Sequence, residues 1–193
     1  PHSLSSNFVR ACCEDNLGNI WIGTFNGLNR YNKITGLFQN HTANDTQADG
    51  LTHSSIWCIV KDNQGTLWLG TYFGGVNYFN PEYEIYTRYS YSSNEKKGLS
   101  NPVVGRTIED RDGNLWIGTE GGGLNYYNRR TREFKWYRPQ EGRNSISHNN
   151  VKALYYDADK EIIWIGTHLG GLNKLDIRSG HFTHYRMEEG NPN

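Results

Sequence analysis

The chain has 193 residues, 35% of them apolar and 13% aromatic, and its 20 basic residues are balanced by 20 acidic ones. That content, with no apolar run near the roughly eighteen residues of a spanning helix, excludes a membrane span and a disordered tail. Without net charge or a Lys/Arg block the sequence lacks the basic footprint of a nucleic-acid binder, so neither nucleic acid nor membrane is an expected contact of this segment.

From the N-terminus, "LSSNFVRACCED" sets Leu4 eleven positions before Asp15, and "NIWIGT", "NGLNRYN" and "LFQNH" follow as short β-rich stretches. A second unit repeats the plan with "SIWCIVKD", "TLWLGTY", "GGVNYFN" and "EIYTRYS", each rich in β-branched and aromatic residues and bounded by Gly, Asn, Asp or Pro. Third and fourth units follow. Trp21, Trp68, Trp116 and Trp164 recur at intervals of 47, 48 and 48 residues, each followed by Ile or Leu, Gly and Thr, with Asp15, Asp62, Asp110 and Asp157 ahead of them. Four short strands in each of four such units predict an all-β chain of four four-stranded antiparallel β-propeller blades, at approximately 4–46, 47–94, 95–142 and 143–190.

The turns have physical reasons. In D-x-x-G the Asp side chain caps its own turn and the Gly supplies positive φ, as in Asp62 to Gly65 and Asp110 to Gly113. The fourth unit has Lys160 where Gly is expected and one extra residue, which predicts a looser hairpin. The repeated tryptophans are expected to fill the wedge between blades. Phe38, Tyr86, Phe134 and Phe182, with His41, Tyr89, Tyr137 and Tyr185 three positions on, are expected to join that packing.

The run "VVGRTIEDRDGNLWIGTEGGGLNYYN", residues 103 to 128, resembles the two-component regulator propeller repeat, and the resemblance extends over all four copies. It implies a periplasmic, extracytoplasmic sensor segment of a hybrid two-component system of Bacteroidetes, whose sensor histidine kinase, receiver and DNA-binding parts lie elsewhere. It further implies recognition of polysaccharide-derived oligosaccharides and no catalysis by the blades. Family rings are seven-bladed, so four units form part of a larger propeller, completed by the remaining blades of the same receptor, or an arc that pairs with a second copy as a homodimer. The alternative role is a structural or dimerisation platform that senses nothing.

Residues that the repeat does not explain are the candidates for binding. By strand parity, the links between blades share a face with the second-to-third-strand loops carrying Phe25, Tyr72, Phe73, Glu120 and His168. Five positions before each Asp the copies disagree, with Arg10, Trp57, Gly105 and Lys152, and Arg106 breaks a small position held elsewhere by Ala11, Cys58 and Ala153. The candidate ligand-binding residues are therefore Trp57, Tyr72, Phe73, Arg106, Glu120, Lys152 and His168. Trp136, outside the pattern on an outer strand, is expected to meet a neighbouring domain.

Catalysis finds little support, because the Asp residues belong to turns; His168 with Glu120 is the nearest approach to the His/Glu cluster of a propeller lyase. No histidine spacing fits a metal, and no cofactor is expected. Cys12, Cys13 and Cys58 are read as free, buried thiols acting as small apolar groups.

Overall fold

The structure is a computed structural model that describes residues 3–43 and 50–187. The strands are β1 (Val9–Glu14), β2 (Ile20–Thr24), β3 (Gly27–Tyr31), β4 (Phe38–His41), β5 (Ile56–Lys61), β6 (Leu67–Thr71), β7 (Val76–Asn80) and β8 (Ile85–Tyr89). After a short 3₁₀ turn at Glu95–Lys97 come β9 (Val104–Glu109), β10 (Leu115–Thr119), β11 (Leu124–Asn128), β12 (Glu133–Tyr137), β13 (Val151–Asp157), β14 (Ile162–Thr167), β15 (Gly171–Asp176) and β16 (Phe182–Tyr185). They form four antiparallel sheets of consecutive strands, one per repeat, and β1, β5, β9 and β13 touch in that order as the innermost strands. The expected blade limits at 46/47 and 190 lie outside the described residues.

Each letter of the repeat has a job. The Asp side chain uses one oxygen on its own turn: Asp62 Oδ1 accepts from the backbone N–H groups of Gln64 and Thr66 at 3.0 and 2.9 Å. Its other oxygen accepts the indole N–H two strand positions into β6, and the Asp15–Trp21, Asp62–Trp68 and Asp110–Trp116 distances are 2.7, 2.9 and 3.1 Å. The buried Asn of the third strand clamps the corner at its own blade's start, with Asn29, Asn77, Asn125 and Asn173 accepting from the amides of Ser5, Thr52, Ser100 and Ser147. The Thr after W-[IL]-G donates to the glycine carbonyl across the β2–β3 turn and its equivalents. The Gly of that run leaves room for the next blade: a Cβ on Gly70 would lie 2.7 Å from Val104, and one on Gly118 would lie 2.5 Å from Val151.

Packing is directional. Trp21 sits among Ile56, Leu67, Leu69 and Phe79 of the second blade, Trp68 among Val104, Leu115, Ile117 and Tyr127 of the third, and Trp116 among Val151, Ile163, Ile165 and Leu175 of the fourth. These three rings are at most 2% exposed. Trp164, in the last of the described blades, is only half-buried. Its turn is also the irregular one. Glu161 takes the positive φ, and the Asp157 carboxylate accepts from Lys160 instead of an indole. Both ends of the arc therefore show apolar surface: Val9, Cys12, Ile20, Ile22 and Phe38 at one end, and Trp164, Leu172 and Tyr185 at the other.

Two sequence expectations need correction. Cys12 is exposed on the first end face rather than buried; Cys13 is half-buried with its thiol pushed up to about 11 by burial, and Cys58 is buried and also raised by burial. Trp136 is occupied within the chain, since its indole N–H donates to the carbonyl of Gly98 at 2.9 Å and its backbone N–H to Glu95.

Asp62 carries one further load. Arg129 of the third blade reaches its Oδ2 at 2.9 Å and Glu109 at 3.2 Å, with the guanidinium over the rings of Trp68 and Tyr78. Replacing Asp62 by Ala strands buried donors and leaves Arg129 with Glu109 alone, and is expected to destabilise by about 3–5 kcal/mol in urea titrations. Asp157→Ala, on the loose turn, is expected to cost less than about 1 kcal/mol; equal losses would contradict the two-oxygen account. A second prediction concerns acid. Burial pushes the Asp15 carboxyl up, but bonds from the Asn19 side chain, the Trp21 indole and the Asn19 and Leu17 amides outweigh it and hold the group below the usual carboxylate range. A folded-state pKa below the unfolded one gives stability that is complete above the unfolded value of about 3.9 and is lost as pH falls through the lower, folded value. Asp15→Asn should therefore flatten the stability–pH slope below about pH 4 and leave the slope between about pH 5 and 8 unchanged.

Candidate functional site

The four innermost strands share an irregularity that the sequence does not announce. Pairing between β1 and β2 jumps from Val9 to Ala11, that between β5 and β6 from Ile56 to Cys58, and that between β13 and β14 from Val151 to Ala153. Between β9 and β10 the partners pass from Val104 to Arg106. The residues left out of the ladder are Arg10, Trp57, Gly105 and Lys152. A bulge of this kind places an extra residue outside the alternation of the strand and re-aims its side chain. The chain thus repeats one device four times, at the one register position where its copies differ.

A second ring of variable residues lies beside the first. Immediately after the conserved-spacing Thr of each blade, the backbone N–H groups of Phe25, Tyr72, Glu120 and His168 donate to the carbonyls of Phe8, Ser55, Val103 and Asn150, just ahead of the bulges. Each second-to-third-strand loop is thereby tied to the mouth of its inner strand. Links and these loops share one face, as His53 beside Tyr72 and His148 beside His168 show.

The bulge residues, with Glu120 of the second ring, border a cup of about 290 Å³ lined by Arg10, Trp57, Gly105, Arg106, Glu120, Val151 and Lys152, so that all four blades contribute. Trp57 stacks on Tyr72 with centroids 5.1 Å apart and planes 22° apart, and the Arg10 guanidinium lies 4.6 Å from the indole centroid. The indole Nε1–H of Trp57 is buried without an acceptor. Lys152 Nζ holds both carboxylate oxygens of Glu120, at 2.5 and 2.6 Å. Gly105 adds no side chain, and a Cβ built there would find nothing closer than 3.4 Å. Arg106 is exposed and donates Nη1–H to the Gly105 carbonyl at 3.0 Å.

Of the residues singled out from sequence, Trp57, Arg106, Glu120 and Lys152 line the cup and Tyr72 backs it. Phe73 sits behind Tyr72, 4.3 Å between centroids, and is 57% exposed. His168 faces His148 at 6.2 Å and is not among the cup residues, while Glu120 is engaged by Lys152. The pair closest to a lyase-like His/Glu cluster is therefore divided between different partners. Arg10 and Gly105 belong to the cup but were not singled out as binding residues, although their shared register with Trp57 and Lys152 was visible. Among the described residues no group of three His, Cys, Asp or Glu side chains could hold a metal ion.

A larger cavity, of about 710 Å³, opens on the opposite, Asp-turn face between the second and third blades. At its centre Arg129 is shared among Asp62, Gln64 and Glu109, and the Tyr89 and Tyr127 hydroxyls lie 3.0 Å apart. That chemistry joins the second and third blades around buried Asp62, whereas the cup gathers the bulge residues of all four blades.

The "Two component regulator propeller" family model matches residues 3–26, 50–73, 98–121 and 145–168. No curated protein sequence matches the chain significantly. Among solved structures, the extracellular domain of a hybrid two component system from B. thetaiotaomicron superposes with a TM-score of 0.84 at 21% identity, covering 95% of this chain and 25% of that one. A virginiamycin B lyase from Staphylococcus aureus matches at 0.69 and 12% identity, over 95% of this chain and 57% of the lyase. PorZ, a surface component of the type-IX secretion system of Porphyromonas gingivalis, matches at 0.64 and 19%, over 97% of this chain and 29% of PorZ. At these identities the likeness is one of fold, and the chain spans about a quarter of the length of the first of them. Four blades, each carrying the matched run from its opening corner to its second-to-third-strand loop, make this chain a member of the two-component regulator propeller family.

Proposed function

We propose that this chain is an extracytoplasmic, periplasmic sensing segment of a hybrid two-component signalling receptor, and that it binds polysaccharide-derived oligosaccharides in the cup without catalysing a reaction. The receptor's histidine kinase would lie in another part of the protein. The observation that carries the reading is the fourfold bulge: a scaffold that repeats its packing residues turns its non-repeating ones into a single concavity. The cup holds an indole for the C–H face of a sugar ring, and a carboxylate and an ammonium for its hydroxyls. Its volume falls at the small end of the roughly 300–1,000 Å³ of ligand pockets, which suits one sugar unit inside and the rest outside. The fold likeness to the extracellular domain of a hybrid two component system supports the setting.

The end faces favour a second reading, in which the arc is a platform that docks on further blades of the same receptor or on a second copy of itself. Trp164 is half-buried where its three counterparts are at most 2% exposed, and Leu172 is 40% exposed where Leu28, Val76 and Leu124 are fully buried. Apolar surface of that kind draws a partner.

A thermal-shift screen with plant and host glycan oligosaccharides separates the two readings. A sensing cup predicts a melting temperature that rises with the concentration of at least one oligosaccharide, as binding to the native state requires. Trp57→Ala should abolish that rise while itself costing no more than about 1.5 kcal/mol of stability, because the ring makes surface stacks. Trp68→Ala, which empties a blade interface, should cost about 3–5 kcal/mol. A shift seen only with a longer piece of the receptor would assign these blades to the platform role.

A further inference from the structure

We infer that the cup selects an acidic sugar, one bearing a carboxylate or sulfate group; the inference rests on the saccharide-binding role proposed above. It begins from an imbalance of charge. Four ionic side chains border the cup: Arg10, Arg106, Lys152 and Glu120. Lys152 and Glu120 neutralise one another. Arg10 and Arg106 are left over, and among the described residues neither forms an ion pair. Arg129, by contrast, is matched by two carboxylates where its role is to join blades.

The two spare guanidiniums are also placed. Arg10, on the bulge of β1, holds its guanidinium carbon 4.6 Å from the Trp57 centroid and 6.0 Å from that of Phe25. Stacking restrains the plane of a guanidinium and leaves its N–H edge free, the arrangement that matches the two oxygens of a carboxylate or sulfate. Arg106 spends one N–H on the Gly105 carbonyl and keeps the others. It owes its position to a local swap. The first, second and fourth blades put their large residue on the bulge and a small one after it, as Arg10–Ala11, Trp57–Cys58 and Lys152–Ala153. The third reverses the order with Gly105–Arg106. The swap opens space at Gly105 and brings a second cation, from the third blade, to the same cup.

An anionic ring would thus meet a guanidinium from the first blade, one from the third and the indole of the second. The Glu120–Lys152 pair is left for hydroxyls. A neutral sugar would use the indole and the hydroxyl partners but leave both guanidiniums unmatched, so the anionic group decides between ligands of the same shape. Because the attraction is charge-based and the cup is open, it should weaken with ionic strength.

Isothermal titration tests this with matched pairs: trigalacturonate against its methyl ester, and a sulfated galactose oligosaccharide against the unsulfated one. The expected result is that at least one acidic member binds about tenfold or more tighter than its neutral counterpart, with the gap narrowing between about 50 and 200 mM salt. Whichever pair responds tells carboxylate from sulfate. Arg106→Gln and Arg10→Gln should each remove most of that advantage, weakening the acidic member far more than the neutral one and so narrowing the gap between them. If acidic and neutral members bind alike and neither substitution separates them, charge selection is wrong and saccharide sensing stands. If no member of either pair binds while a neutral oligosaccharide of the thermal-shift panel does, charge selection is wrong and saccharide sensing stands; if nothing in the panel binds either, both readings fall.

Discussion

In three of the four blades one carboxylate holds two things at once: its first oxygen caps the turn that starts the second strand, and its second accepts the indole N–H of the tryptophan that the strand delivers to the next blade. Local turn geometry and long-range packing are thereby fixed by the same group. A large ring can then be buried at a blade interface with its polar edge satisfied, which removes the penalty that an unpaired indole N–H would carry there. The fourth blade shows what happens without it. Asp157 is one residue further from its tryptophan, the turn relies on Glu161 at positive φ, and Trp164 is only half-buried.

Because the interfaces are secured at the Asp end, one position at the opposite end of each inner strand is free to vary, beside the Asn and Thr clamps that hold the blade's corner. The bulge is what makes that variation useful. It lifts one residue per blade out of the sheet's alternation, so that Arg10, Trp57 and Lys152 leave the packing without disturbing it, while Val9, Ile56, Val104 and Val151 keep the neighbouring register position. Sameness and difference are thus separated along each strand by a few residues. A repeat scaffold of this kind can change what it recognises without changing how it folds.

Much of the fold was legible because the period is written in residues with strong local chemistry. Asp62 to Gly65, the Trp-Leu-Gly-Thr run and the closing Asn each announce a turn, a strand or a clamp, and four copies confirm one another. The second oxygen of the Asp was not legible, since a carboxylate six residues before a tryptophan implies no contact until the strand's twist is known. Nor was the bulge, because its position carries Arg, Trp, Gly and Lys and so has no residue signature. Parity did place Tyr72, Glu120 and His168 on one face, but it could not show that Glu120 turns to Lys152 and His168 to His148. Trp136 was misjudged because a ring outside the repeat looked unpartnered, whereas the link preceding its blade folds back to meet it at Gly98.

The most direct measurement of the central claim is hydrogen–deuterium exchange on this chain with and without an oligosaccharide that raises its melting temperature. The account predicts added protection in the peptides around residues 8–11, 55–58, 103–106 and 150–153 and in the adjoining second-to-third-strand loops, with the Asp turns on the opposite face unchanged. Protection confined to the Asp-turn face, or to the outer strands, would contradict it.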